Sequence, residues 1–132
     1  MPGSYFVAIR LSGQQLRHDV VSFYVGDRFR RQKFVDIFER RGGQCEVGGL
    51  LPADCNIQEA IQDLVNSFKS CIDMIRQGAE VEEIVLLVRI YPQGAAQSMT
   101  LQPSLLADLS LMRIELAFEV FPEMAPGDDQ WT

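Results

Sequence analysis

Residues 56–91 read NIQEAIQDLVNSFKSCIDMIRQGAEVEEIVLLVRIY, and a change of apolar period inside this stretch decides the fold class. From Ile57 to Gln77 the apolar residues Ile57, Ala60, Ile61, Leu64, Val65, Phe68, Cys71, Ile72 and Ile75 recur mostly at intervals of three and four. That period lays a single stripe along a helix. Asn56 with Glu59 three residues later is a variant of the capping box, and Gly78 is placed to end the helix in a left-handed conformation. After the acidic turn Glu80-Val81-Glu82-Glu83 the pattern becomes continuous. Ile84 to Tyr91 is apolar apart from Arg89, as in a central strand buried on both faces.

Working outward, Tyr5 to Leu11 alternates as a strand with at least one buried face, and Ser12-Gly13 punctuates it. Leu16 to Val25 is ambiguous between a short helix and a turn followed by a strand. Phe34 to Glu39 reads as a strand that Arg41-Gly42-Gly43-Gln44 turns into a second strand, Cys45 to Val47. Gly48-Gly49 and then Pro52 mark a loop. Downstream, Pro92 to Ser98 is a loop, and Pro103 opens a second helix through about Leu111 with Leu105, Leu106 and Leu109 facing inward. Arg113 to Phe121 alternates cleanly as a half-exposed strand, with Ile114, Leu116, Phe118 and Val120 on its apolar face.

This order predicts one α+β domain over residues 1–122, in which a mostly antiparallel sheet of four to six strands is covered on one face by the long helix (about 57–77) plus the short helix (about 103–111). A ferredoxin-like variant is compatible with it. Residues 123–132 read as a flexible acidic C-terminal tail.

Composition places the 132 residues among ordinary globular domains: 47% are apolar and 23% charged. The absence of a basic-then-apolar start, and of any apolar run near 18 residues, points to a cytoplasmic protein. The charge is split along the chain. Residues 1–43 hold eight Lys or Arg against four Asp or Glu, whereas residues 44–132 hold four against fourteen. Such a split acts on steering and partner choice rather than on fold.

The side chains that carry chemistry are sparse. Three cysteines, Cys45, Cys55 and Cys71, and the single His18 do not supply the closely paired ligands of a structural zinc site, so no metal and no cofactor is expected. His18 reads as a solvent-facing residue in a polar turn, and a Cys55–His18 nucleophile pair is disfavoured. Gly42, Gly43, Gly48 and Gly49 match neither the P-loop nor the Rossmann spacing. The run Arg28-Phe29-Arg30-Arg31-Gln32-Lys33 has too few cations to hold a polyanion against a chain of net charge −6, so neither nucleic acid nor membrane is expected as a partner.

Tyr5-Phe6-Val7-Ala8-Ile9-Arg10-Leu11-Ser12-Gly13, together with Ile84 to Tyr91 and then Leu101-Gln102-Pro103-Ser104-Leu105-Leu106 to Phe121, resembles a family of small bacterial domains of unassigned activity. Some relatives in that family are similar to immunity proteins encoded beside polymorphic toxins, including contact-dependent inhibition systems. The resemblance covers about half the chain and rests on structural motifs. Gln14-Gln15-Leu16-Arg17-His18 stands where the family has a more acidic, proline-containing helix start, so no site residue is carried over.

The resemblance implies a non-enzymatic immunity protein, a toxin inhibitor whose protein partner is a cognate basic toxin. The acidic balance of residues 44–132 supplies candidate contacts: Asp73, Glu80, Glu82, Glu83, Glu115 and Glu119. Two other classes stay open, with a monomer or a homodimer undecided. One is a self-associating module in which the basic segment of one subunit meets the acidic surface of the next. The other is a small-molecule-binding domain with a pocket lined by Tyr5, Phe23 or Tyr24.

Overall fold

A computed structural model describes residues 4–28, 35–52, 54–91 and 99–121. Five strands and four helices follow in the order β1 (Ser4–Ser12), α1 (His18–Arg28), β2 (Asp36–Arg40), β3 (Gln44–Pro52), α2 (Ile57–Lys69), α3 (Ile72–Gly78), β4 (Glu83–Tyr91), α4 (Pro103–Leu111) and β5 (Glu115–Val120). The strands form one sheet in the order β2-β3-β1-β4-β5. The first four pair antiparallel with the ferredoxin-like order, and β5 adds parallel to β4 through the α4 crossover. The expected α+β class therefore holds, with one parallel pair in a mostly antiparallel sheet.

β1 is the axis of the sheet. It pairs along all nine residues with β3 on one side and β4 on the other. Its alternation sends Tyr5, Val7, Ile9 and Leu11 into the main core, where they meet Ile61, Leu64, Val65 and Phe68 of α2, Ile72 and Ile75 of α3, and Leu105 and Leu109 of α4. The opposite face lacks helices among the described residues. It is nevertheless buried at its centre, where Phe6, Ala8, Val85 and Leu87 have less than a tenth of their surface exposed.

The ambiguity over Leu16 to Val25 resolves as a helix that starts at His18, and three sequence expectations are corrected. Gly48-Gly49 lies inside β3 rather than in a loop, because a Cβ on Gly48 would sit 2.7 Å from the Ala8 Cβ and collide with the Val7 carbonyl. Glycine is what lets β3 come this close to β1. Leu106 of α4 is 44% exposed and does not face inward.

The third correction concerns the long helix, which is two helices. Asn56 Oδ1 accepts from the Glu59 amide at 3.1 Å as the cap predicts, but the stripe breaks at Ser70-Cys71. There Cys71 N–H bonds to the Phe68 carbonyl, three residues back, one residue tighter than an α-helix. Ser67 Oγ donates to the Asp63 carbonyl at 2.9 Å and Ser70 Oγ to the Ser67 carbonyl at 3.5 Å, so hydroxyls compete for helical acceptors just before the break.

Between helices, Lys69 of α2 lies 2.8 Å from Asp108 of α4. The tail 123–132, the loop Pro92 to Ser98 and the strand start at Phe34 lie outside the described residues. No helix among those described is long and apolar enough to cross a membrane.

Two outcomes are expected. Gly48→Ala should cost at least about 2 kcal/mol in urea unfolding, since backbone atoms must move to admit the methyl group. The second concerns pH. The hydrogen bond from Lys69 holds the Asp108 carboxyl below its ordinary value, with Gln62 as a further donor. A depressed folded-state value gives stability that is present above the unfolded carboxylate range, near about 3.9, and lost as pH falls through the folded value. Lys69→Met should therefore be less stable than wild type between pH 5 and 8, and thermal melts should converge below about pH 4.

Candidate functional site

The two parallel neighbours β4 and β5 are both entered from a helix that ends in the same way. α3 closes with the Val81 amide bonded to the Arg76 carbonyl at 3.1 Å, and α4 closes with the Ile114 amide bonded to the Leu109 carbonyl at 2.9 Å. Each is a Schellman turn, in which the residue before the donor is left-handed. Here those residues are Glu80 (φ 56°) and Arg113 (φ 55°), not glycine. Gly78, expected to take this conformation, is instead the last residue of α3. The buried side chains Val81 and Ile114 follow and fix where the left-handed position falls.

The turn after α3 is pinned from three sides. Arg17 N–H donates to the Ala79 carbonyl at 2.9 Å, and Glu82 N–H donates to the Ser12 carbonyl at 2.8 Å. Gly13 packs beneath it, because a Cβ there would approach the Glu80 carbonyl to 2.5 Å, and the Gly13 amide bonds to the Gly43 carbonyl of the β2–β3 turn at 2.9 Å. Arg76 ties the two Schellman turns together through the Met112 carbonyl at 2.8 Å and the Arg113 carbonyl at 3.4 Å. The backbone that carries the acidic run is thus fixed.

Five of the six candidate residues come to this end of the sheet. Glu80, Glu82 and Glu83 are exposed on the turn and the first residue of β4. Asp73 stands exposed on α3, 3.8 Å from Arg76. Glu115 opens β5 opposite Val85, on the same sheet face as Glu83. Among the described residues Glu80, Glu82, Glu83 and Glu115 enter no ion pair. Of the nearby cations, Arg17 bonds to Asp19 at 3.0 Å and Arg76 to the turn carbonyls.

Glu119 does not join them. It lies four residues further along β5 and accepts from Arg89 Nε at 3.1 Å. Arg89 in turn reaches across the small Ala8 to Glu46, its Nη2 at 3.2 Å from Glu46 Oε2, while Arg40 Nε donates to Glu46 Oε1 at 3.1 Å. Glu46 is 2% exposed, and the two arginines lie over Phe6 and Phe38, each guanidinium 5.2 Å from a ring centroid. Sequence reading missed this network. Its only trace was the charge of Glu46 between two apolar strand residues, Cys45 and Val47.

The groups considered for catalysis separate. Cys55 follows the end of β3 that pairs with Ser4, whereas His18 follows the other end of β1, a separation on the order of 25 Å over eight strand steps. His18 is only partly solvent-facing: its side chain is 29% exposed, and its Nδ1 is buried without a hydrogen-bond partner among the described residues, 3.9 Å from Glu39. Burial pushes the Cys45 thiol up to about 11, which leaves it a thiol at neutral pH. Tyr5 is sealed in the core while Phe23 is 75% exposed, so they do not line one pocket. Among the described residues no group of three or more His, Cys, Asp or Glu side chains could hold a metal ion. The segment Phe29 to Lys33 lies outside the described residues. Comparison with known protein families, curated proteins and solved structures finds no match to this chain.

Glu80 permits a direct stability test. Glycine tolerates a left-handed backbone without the Cβ strain that a glutamate carries. Glu80→Gly should raise the urea midpoint, by about 0.5–1 kcal/mol in unfolding free energy.

Proposed function

We propose that this chain is a non-enzymatic binding protein of the immunity type, which neutralises a basic protein toxin by presenting Glu80, Glu82 and Glu83, flanked by Asp73 and Glu115. The observation that carries the reading is Glu80, held left-handed at φ 56° on a pinned turn where glycine would be less strained. Strained non-glycine positions persist where surrounding contacts over-determine them, and they cluster at functional sites. A rigid acidic end needs no reordering on association, which lowers the entropic cost of binding. Unpaired carboxylates also steer a basic partner toward it, and they repel partners of like charge. Glu46 and Asp108, by contrast, are engaged in ion pairs within the fold.

The test begins by co-expressing the protein with the product of its neighbouring gene and isolating the complex. Association is then measured for wild type and for the triple variant Glu80→Lys, Glu82→Lys, Glu83→Lys at 50 and 300 mM salt. The variant should associate at least about tenfold more slowly at low salt and show a flatter salt dependence. Glu80→Gly, although more stable, should also associate more slowly. Rates unchanged in both variants would remove this end of the molecule from the interface.

A further inference from the structure

The two edges of the sheet are not alike. β2 is a five-residue strand, DIFER, with charged residues at Asp36, Glu39 and Arg40. Short, charged strands resist pairing with another chain. β5 is the other edge, and its outward groups can be assigned. The Phe121 amide donates to the Ile90 carbonyl of β4 at 2.9 Å, and alternate residues of a strand aim their backbone groups at the same neighbour. Glu115, Ala117 and Glu119 therefore aim N–H and C=O at β4, while those of Leu116, Phe118 and Val120 point away from the sheet.

The side chains along this edge divide by face. Leu116, Phe118 and Val120 lie on the helix-bearing face opposite Leu86, Val88 and Ile90, with Phe118 48% and Val120 57% exposed. Leu106 stands on the flank of α4 turned away from α2, because Asp108, which bonds to α2, marks the other flank. Glu115 and Glu119 lie on the opposite face, with Glu83 behind them on β4.

We infer that β5 is a docking edge for an extended segment of a basic partner, which adds as a sixth strand with apolar side chains over Phe118 and Val120 and Lys or Arg side chains over Glu115 and Glu119. Strand addition draws affinity from main-chain hydrogen bonds and specificity from alternate side chains. Charge selects the occupant. A second copy would bring net charge −6 against −6 and set more carboxylates beside this edge, whereas a strand with Lys or Arg at every second position meets carboxylates on one face and apolar groups on the other. This rests on the reading of the chain as a binder of a basic protein, and it makes the acidic end a steering surface beside the docking line.

The probe is an acetylated, amidated octapeptide of alternating Lys and Val, with alternating Glu and Val as control, and the readout is amide hydrogen exchange in the wild-type protein. The Lys peptide should slow exchange at Leu116, Phe118 and Val120, and the Glu peptide should not. Phe118→Lys and Glu115→Lys should each weaken binding by at least about fivefold, with folding of each variant verified by its backbone spectrum. Spectral changes confined to Asp73 and Glu80 to Glu83 would overturn strand addition while leaving the basic-partner reading standing. Protection of the β5 amides that rises with protein concentration in the absence of peptide would overturn the proposal in favour of self-pairing. Failure of the Lys peptide to protect β5 overturns it as well.

Discussion

The structure depends on β1 being paired on both edges and buried on both faces. A strand in that position must give every backbone group to a neighbour, because an unpaired amide or carbonyl away from water costs about 1–3 kcal/mol. β3 and β4 meet this requirement along nine residues each. The close passage of β3 at Gly48 follows from it, since any side chain there would push β3 off the Val7 and Ala8 backbone. So does the position of α2, whose buried stripe covers the face that β1 presents through Val7, Ile9 and Leu11.

What the sequence revealed was periodicity and capping; what it concealed depended on contacts distant in the chain. Pro103 and the leucines after it marked α4 with correct ends, and Asn56 marked the start of α2. The break at Ser70-Cys71 was hidden because the apolar spacing runs on through it: Phe68, Cys71, Ile72 and Ile75 are all buried on both sides of the kink. Gly48-Gly49 looked like a loop because its reason, the approach of Ala8, lies 40 residues away in the chain. Of the acidic site, the run Glu80 to Glu83 was legible, but the left-handed φ of Glu80 was not. That conformation is imposed by where Val81 must enter the core.

Charge has two separate uses in this fold. On the sheet face opposite the helices it is internal: Glu46 is shared by Arg40 and Arg89, and Arg89 is shared by Glu46 and Glu119. A buried carboxylate with both oxygens engaged is tolerated because each hydrogen bond is charge-assisted, while loss of one partner would strand a charge at a cost of about 3–5 kcal/mol. At the end of the sheet the charge faces solvent and enters few local contacts. Counting acidic residues along the chain merges these populations; Glu119 belongs to both, since it accepts from Arg89 while its side chain stays 44% exposed.

The placement of the solvent-facing charges bears on why a sheet with an open β5 edge need not aggregate. Its edge carries no proline or bulge among the described residues, and two of its apolar side chains are half exposed. The protection available is electrostatic: Glu115 on the edge strand itself, with Glu83 and Glu80 to Glu82 beside its start. Exposed charges act over roughly 8–10 Å at moderate ionic strength, a distance comparable to two strand spacings. A strand of like charge is therefore opposed as it arrives, and a basic one is drawn in. The same carboxylates that keep the edge from pairing with its own kind define what it can pair with.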